Sequence, residues 1–202
     1  MSADTVTEGR LSEKKKILVF FGSPHRDGFT AKLLREFLEP FGTSAEIRLI
    51  DSYAERIAPC TDCGFCNRTE GCSDGDFDEI DEQIRRADFI VVATPVYILS
   101  FPAPLKAVFD RMQRYFSARF SIGVNPPIAK RKTAILLATC GSRSAEGAKI
   151  ISRQLRMVFS VMNTALKHEI VWTGTDFQNG AAEFERVRLQ ARNLALAIKS
   201  EL

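Results

Sequence analysis

Lys16-Ile17-Leu18-Val19-Phe20-Phe21-Gly22-Ser23-Pro24-His25-Arg26-Asp27-Gly28-Phe29-Thr30 is the stretch that decides the fold. After the opening lysine it runs apolar without alternation as far as Phe21, the composition of a strand buried on both faces. A polar, turn-forming loop follows. From Thr30 onward, Leu33, Leu34, Phe37, Leu38 and Phe41 recur at intervals of three and four, so a helix is expected over Thr30 to Phe41, ended by Gly42. A buried strand that turns through a short polar loop into a helix is the opening of a parallel crossover unit.

The same alternation continues outward from that stretch. Strands are expected at Ala45 to Ile50, Phe89 to Ala93, Thr133 to Ala138 and Leu166 to Thr173. Helical stripes are expected through Phe77, Ile80, Ile84 and Ala87, and through Leu105, Val108, Phe109 and Met112. Two more run through Ile151, Leu155, Val158 and Met162, and through Phe184, Val187, Ala191, Leu194 and Ile198. Residues 52–76 form an irregular cysteine-rich loop, and 117–131, with Gly123, Pro126 and Pro127, reads as an inserted loop. No repeat or low-complexity tract is present. Residues 1–15 are expected to be a flexible tail, and 16–202 a single α/β domain built on one doubly wound parallel sheet.

Composition excludes several functions. Among 202 residues, 28 basic and 25 acidic side chains leave a net charge of +3, too weak a field to argue for nucleic acid or an anionic membrane. The apolar stretch Ile17 to Phe21 is too short for a signal core, and Phe89 to Phe101 is broken by Pro95 and falls below the roughly 20 residues that span a bilayer. A cytoplasmic location is expected, where the five cysteines stay reduced.

The loop Gly22 to Thr30 lies at the carboxyl edge of the sheet, where open parallel sheets bind ligands. Backbone N–H groups at the start of a helix lack intrahelical partners, and the helix dipole adds positive potential, so a phosphate satisfies both. Ser23 and Thr30 add hydroxyls, and Arg26 or a protonated His25 adds charge. The Lys-Ser/Thr pair of a Walker A loop is missing, and Gly22 and Gly28 do not have dinucleotide spacing. Asp51 is then a strand-end cap rather than a ribose ligand. The competing reading of the loop is a polar turn in which Ser23 or Asp27 caps the helix.

Two further loops open on the same edge. Thr94-Pro95-Val96-Tyr97-Ile98 follows the third strand and offers a stiff apolar wall for a flat ring; Thr139-Cys140-Gly141-Ser142 follows the fourth, and Gly141 permits close backbone approach. Tyr97 and Ile98 could instead simply pack the following helix. Cys140 has no histidine nearby in sequence and reads as an inert thiol; His168 and Trp172 read as structural.

Cys60, Cys63, Cys66 and Cys72 are spaced C-x2-C-x2-C-x5-C. Three thiolates at successive x2 intervals can wrap a 4Fe-4S cluster as ferredoxin segments do, although the ferredoxin pattern has its fourth cysteine at x3 followed by proline and here Ser73 follows. Reduced or regulatory thiols are a second reading, and zinc held by four thiolates a third.

Taken together, Gly22-Ser23-Pro24, Gly28, Thr30, the cysteine cluster, Pro95-Val96-Tyr97 and Leu105-Lys106 through Asp110-Arg111 resemble the flavodoxin-like NAD(P)H-dependent FMN reductases, and especially their iron-sulfur flavoprotein branch. The sequence departs from that pattern at His25, where arginine is usual, and at Phe29, where asparagine is usual. The resemblance implies a five-stranded sheet in the order 2-1-3-4-5 with helices on both faces. It implies FMN held by Ser23, His25, Arg26, Gly28, Phe29 and Thr30 at the phosphate, with Arg26 the preferred charge. Pro95, Val96, Tyr97 and Ile98 would border the isoalloxazine, with Thr139, Cys140 and Gly141 closing the third side. Cys60, Cys63, Cys66 and Cys72 would hold a 4Fe-4S cluster. The activity implied is electron transfer from NAD(P)H through FMN to a small molecule or a ferredoxin-like protein, with no side chain acting as nucleophile, in a homodimer whose 117–131 insertion, with Phe120, reaches the partner subunit. The rival functions are a non-enzymatic electron carrier and a redox or metal sensor that uses the cysteine loop.

Overall fold

A computed structural model describes residues 14–177 and 180–201; the expected tail therefore lies outside the described residues as far as residue 13. Five parallel strands form one sheet: β1 (Lys15–Phe21), β2 (Ala45–Asp51), β3 (Phe89–Pro95), β4 (Lys132–Thr139) and β5 (Thr164–Trp172). Their order is β2-β1-β3-β4-β5, as the resemblance implied. The helices are α1 (Phe29–Leu38), α2 (Asp78–Arg86), α3 (Ala103–Asp110), α4 (Gln113–Phe120), α5 (Glu146–Val161) and α6 (Gly180–Glu201).

The apolar run of β1 has no polar face because both sides of it are covered. Leu18 and Phe20 point into a core shared with Ile80 and Ile84 of α2, Leu105 and Val108 of α3, and Ile151 and Leu155 of α5. Ile17, Val19 and Phe21 point the other way, into a core closed by Leu33, Leu34 and Phe37 of α1 and Val187, Ala191 and Ala195 of α6. Period-two alternation along the strand thus feeds two cores, and each fully buried Leu, Ile or Phe contributes about 1.5–3 kcal/mol.

Strand and helix ends shift by one or two residues, Lys15 of the expected tail joining β1, and three features differ further from the sequence reading. The first helix ends at Leu38, and a 3-10 turn over Glu39–Ser44 replaces its last turn, because Pro40 supplies no N–H and its ring would meet the carbonyl of residue 36. The stripe ending at Met112 divides into α3 and α4, so the first residues of the 117–131 segment are helical as far as Phe120. On β5 the register shifts opposite Ala134 and Ile135, and the irregularity leaves Lys167, His168 and Glu169 all exposed rather than alternating. No helix among the described residues is long and apolar enough to cross a membrane.

Candidate functional site

The carboxyl ends of β1, β3, β4 and β5 surround a cleft of about 730 Å³. Its first wall is the β1–α1 loop, from which Ser23, His25, Gly28, Phe29 and Thr30 line the space. Gly22 anchors that loop: its N–H donates to the Ala93 carbonyl at 2.8 Å, and a Cβ there would fall 2.5 Å from Leu105 Cδ2. Ser23 is buried, and its Oγ accepts the His25 N–H at 3.2 Å, which curls the loop back over the helix start. Gly28 is the N-cap residue of α1, and no side chain among the described residues caps that end. The first turn of α1 therefore faces the cleft with its dipole and N–H groups available to an anion.

Pro95, Val96, Tyr97 and Ile98 make the second wall. The Val96 N–H donates to the Thr139 carbonyl at 2.8 Å, which fixes this wall to the third. Tyr97 and Ser100 exchange both backbone bonds at 2.9 Å, and the two residues between them, Ile98 and Leu99, have φ of 48° and 61°. Paired positive φ values suit Asn-Gly, and a β-branched residue in that region is strained. Ile98 is nonetheless fully exposed at the cleft mouth, while Leu99 lies against Gly147 at the start of α5.

Thr139 and Gly141 form the third wall. Thr139 Oγ1 and Thr30 Oγ1 share a buried hydrogen bond of 2.7 Å that ties the third wall to the first. Thr175 and Asp176, in the loop after β5, close a fourth side that the sequence reading did not include. The Asp176 N–H donates to the Gly141 carbonyl at 3.3 Å, and its carboxylate lies where a Cβ at residue 141 would project. The rule that pointed to the other three loops, proximity to a strand's carboxyl end, applies equally to β5 and would have found them.

Two residues expected at the flavin are not brought into the cleft. Arg26 turns outward to pair with Asp51, Nη2 to Oδ2 at 2.6 Å, and its side chain is 71% exposed. Asp51 does act as a strand-end cap, its Oδ1 accepting the Tyr53 N–H at 3.0 Å. Cys140 is buried: its N–H donates to the Trp172 carbonyl at 2.8 Å and its carbonyl accepts from Thr175 at 3.1 Å, so neither group is directed at a ligand. Burial also raises its thiol above the ordinary cysteine value, consistent with an inert role. A larger groove of about 870 Å³ lies between α1 and α6, lined by Phe29, Trp172 and Phe184. Among the described residues it shares only Phe29 with the cleft. The strand ends, the uncapped helix and the convergent hydroxyls make the smaller space the candidate ligand site.

The four clustered cysteines line a second, separate pocket of about 140 Å³ together with Arg111 and Arg114. Short 3-10 turns at Phe65–Asn67 and Gly75–Phe77, and positive φ at Asp62, Gly64 and Gly71, fold the loop back on itself. Cys63 Sγ lies 3.2 Å from Ser73 Oγ, and that hydrogen bond, followed by one to the Phe65 backbone, lowers its thiol below the ordinary value. Cys66 Sγ donates to Ser117 Oγ at 3.4 Å, and Arg111 Nη2 donates to Cys72 Sγ at 3.4 Å. Among the described residues no three His, Cys, Asp or Glu side chains converge as ligands of one metal ion. A 4Fe-4S cluster presents a separate iron corner to each thiolate and does not need such convergence, and the Arg111 guanidinium at Cys72 suits its anionic character.

The chain has relatives both in sequence and in fold. An iron-sulfur flavoprotein of Methanosarcina thermophila is 36% identical over 140 residues, covering 67% of this chain and 69% of that protein. The fold is shared with the NAD(P)H:quinone oxidoreductase of Methanothermobacter marburgensis at a TM-score of 0.68 and 21% identity, covering 90% of this chain and 96% of the other. It is shared also with an FMN-dependent NADH-azoreductase of Bacillus anthracis, solved in complex with FMN, at a TM-score of 0.69 and 15% identity, covering 92% and 99%. The model of the NADPH-dependent FMN reductase family matches residues 15–178, and with that match the chain belongs to this oxidoreductase family, in its iron-sulfur flavoprotein branch.

Proposed function

We propose that the protein passes electrons from NAD(P)H through FMN to an acceptor, with a 4Fe-4S cluster in the cysteine pocket as the one-electron exit. The observation that carries the reading is the uncapped start of α1, opening between Ser23 and Thr30 into a cleft whose other walls are strand-end loops. FMN's phosphate fits the N–H groups of that first turn and the two hydroxyls, with His25 as the adjacent titratable side chain. The isoalloxazine fits beside Pro95, Val96, Tyr97 and Ile98, with Thr139 and Gly141 on the far side. When bound, the flavin takes up two electrons as hydride and releases them singly. The chain's own part is to bind, orient and exclude water, and no side chain forms a covalent intermediate. Cys60, Cys63, Cys66 and Cys72 are the residues for the cluster. The exposed Phe116 and Phe120 rings, 4.7 Å apart on α4, support a homodimer that forms through this face. A cytoplasmic setting agrees with reduced thiols.

The test is anaerobic purification, followed by absorption spectra, iron and acid-labile sulfide assay, and steady-state oxidation of NADH and NADPH by FMN-loaded protein. Turnover of either nucleotide is expected. A second reading, a carrier without a nicotinamide site, is favoured by one observation: the described lining of the cleft contains no lysine or arginine to meet the nucleotide's phosphates. Flavin that is reduced by a low-potential protein donor but by neither nucleotide would select that reading.

A further inference from the structure

Arg111 has no part in the flavin site, yet it is buried beside the cysteines, its side chain 3% exposed. Its Nη1 donates to the Ala58 carbonyl at 2.9 Å and its Nη2 to the Asp74 carbonyl at 3.0 Å. Ala58 and Asp74 flank all four clustered cysteines, so one planar fork joins the two ends of the loop. The same Nη2 pairs with Asp76 Oδ1 at 2.6 Å and reaches Cys72 Sγ at 3.4 Å. The guanidinium lies 5.5 Å from the Phe77 ring, and Nε is buried without a hydrogen-bond partner among the described residues. Arg111 itself is fixed, because it is the C-cap residue of α3, whose Leu105 and Val108 are fully buried against the sheet.

We propose that Arg111 is the positioning residue of the cysteine site. It fastens both ends of the loop to α3, so the cradle is formed before any iron arrives, and its charge favours the more reduced state of a cluster held there. The first half stands on the hydrogen bonds alone; the second rests on the 4Fe-4S reading. An irregular loop of this length loses little free energy on opening unless its ends are tied. Hydrogen bonds made by a buried charged donor are the ties whose loss is felt most, since their removal leaves that donor unpaired. A cluster with four thiolates is an anion, and one added electron, with no bond made or broken, increases its negative charge. A fixed cation in contact with Cys72 therefore stabilises the reduced form more than the oxidised one.

The experiment uses the full chain as wild type, Arg111→Lys, Arg111→Met and Arg111→Gln, the last a second neutral variant should methionine not be tolerated. Iron-free protein is treated with trypsin and cleavage after the exposed Arg68 is timed. Anaerobically reconstituted protein is titrated with reductant while the cluster is followed by EPR, with flavin absorption as the check on folding. All variants should be nicked about tenfold faster or more, since none reproduces the fork. The neutral variants should shift the cluster midpoint to more negative potential, whereas Arg111→Lys should hold it near wild type; a purely structural arginine would not separate them. Nicking rates equal to wild type overturn the clasp. An unchanged midpoint in the neutral variants overturns the charge role. Wild-type protein that takes up neither iron nor sulfide overturns the cluster reading and the charge role with it, while the nicking rates still decide the clasp.

Discussion

Loops lying between residues 22 and 176 converge to make the strand-end cleft, whereas the cysteine pocket takes its four thiols from residues 60–72 and its guanidiniums from the region where α3 meets α4. The cleft is held together largely by backbone: Gly22 to Ala93, Val96 to Thr139, Asp176 to Gly141, with one threonine pair between the walls. The cysteine pocket is held by side chains, above all the Arg111 fork across Ala58 and Asp74. A site built from the sheet's own edge inherits the rigidity of the sheet and tolerates many side-chain changes. A site built on an irregular loop depends on the few side chains that tie it down.

The sharpest way to break this comparison is Cys63→Ala. Removing one thiolate should abolish the cluster's EPR signal, while FMN affinity stays within about threefold of wild type, less than 1 kcal/mol, because no cleft wall contains a clustered cysteine. Flavin titration of the same preparation checks both halves. Loss of flavin along with the cluster would join the two sites.

Within the cleft, Thr30→Val should have the largest effect. It removes a hydroxyl from the phosphate seat and leaves Thr139 Oγ1 buried without its 2.7 Å partner. A hydrogen bond to the charged phosphate is worth about 1.5–3 kcal/mol, so FMN binding measured by fluorescence quenching should weaken by about tenfold to a hundredfold, while the unpaired Thr139 hydroxyl lowers the stability of free and bound protein alike.

Ile98→Asn should act in the opposite direction on stability. The turn places a β-branched residue at φ 48°, a conformation that costs on the order of 1–3 kcal/mol and that asparagine tolerates. Relief of about 1 kcal/mol raises the melting temperature of a chain this size by roughly 2–4 °C, readable by calorimetry on flavin-free protein. An unchanged or lower melting temperature would mean that the turn is not strained.

Arg26→Ala should have the smallest effect. Its guanidinium is 71% exposed and committed to Asp51, away from the cleft lining, so FMN affinity should change by less than about threefold. A large loss would return Arg26 to the phosphate.

The two sites were legible in the sequence for different reasons. The apolar run of Ile17 to Phe21 specified a doubly covered strand, and chain order then placed the loops at 22–30, 94–98 and 139–141 on one edge, because parallel crossovers return every strand in the same direction. The loop after β5 obeys the same rule, but Gly174, Thr175 and Asp176 have no compositional signature of their own and were passed over. The direction of the Arg26 side chain was not legible either. It depends on Asp51, a residue that chain order puts far away and only the β1–β2 register brings alongside Phe21. The cysteine spacing announced its loop directly. Arg111 was visible only as part of a helical motif, since nothing in its spacing says that its side chain closes a loop beginning at Ala58.

The account rests on a phosphate seated by the first turn of α1, and comparison of FMN with riboflavin on flavin-free protein tests it most directly. The two ligands share the ring and differ in that phosphate. Binding of FMN at or below about 1 μM, with riboflavin about a hundredfold weaker or more, is the predicted result. Equal affinity for the two, or no saturable binding of FMN, would contradict it.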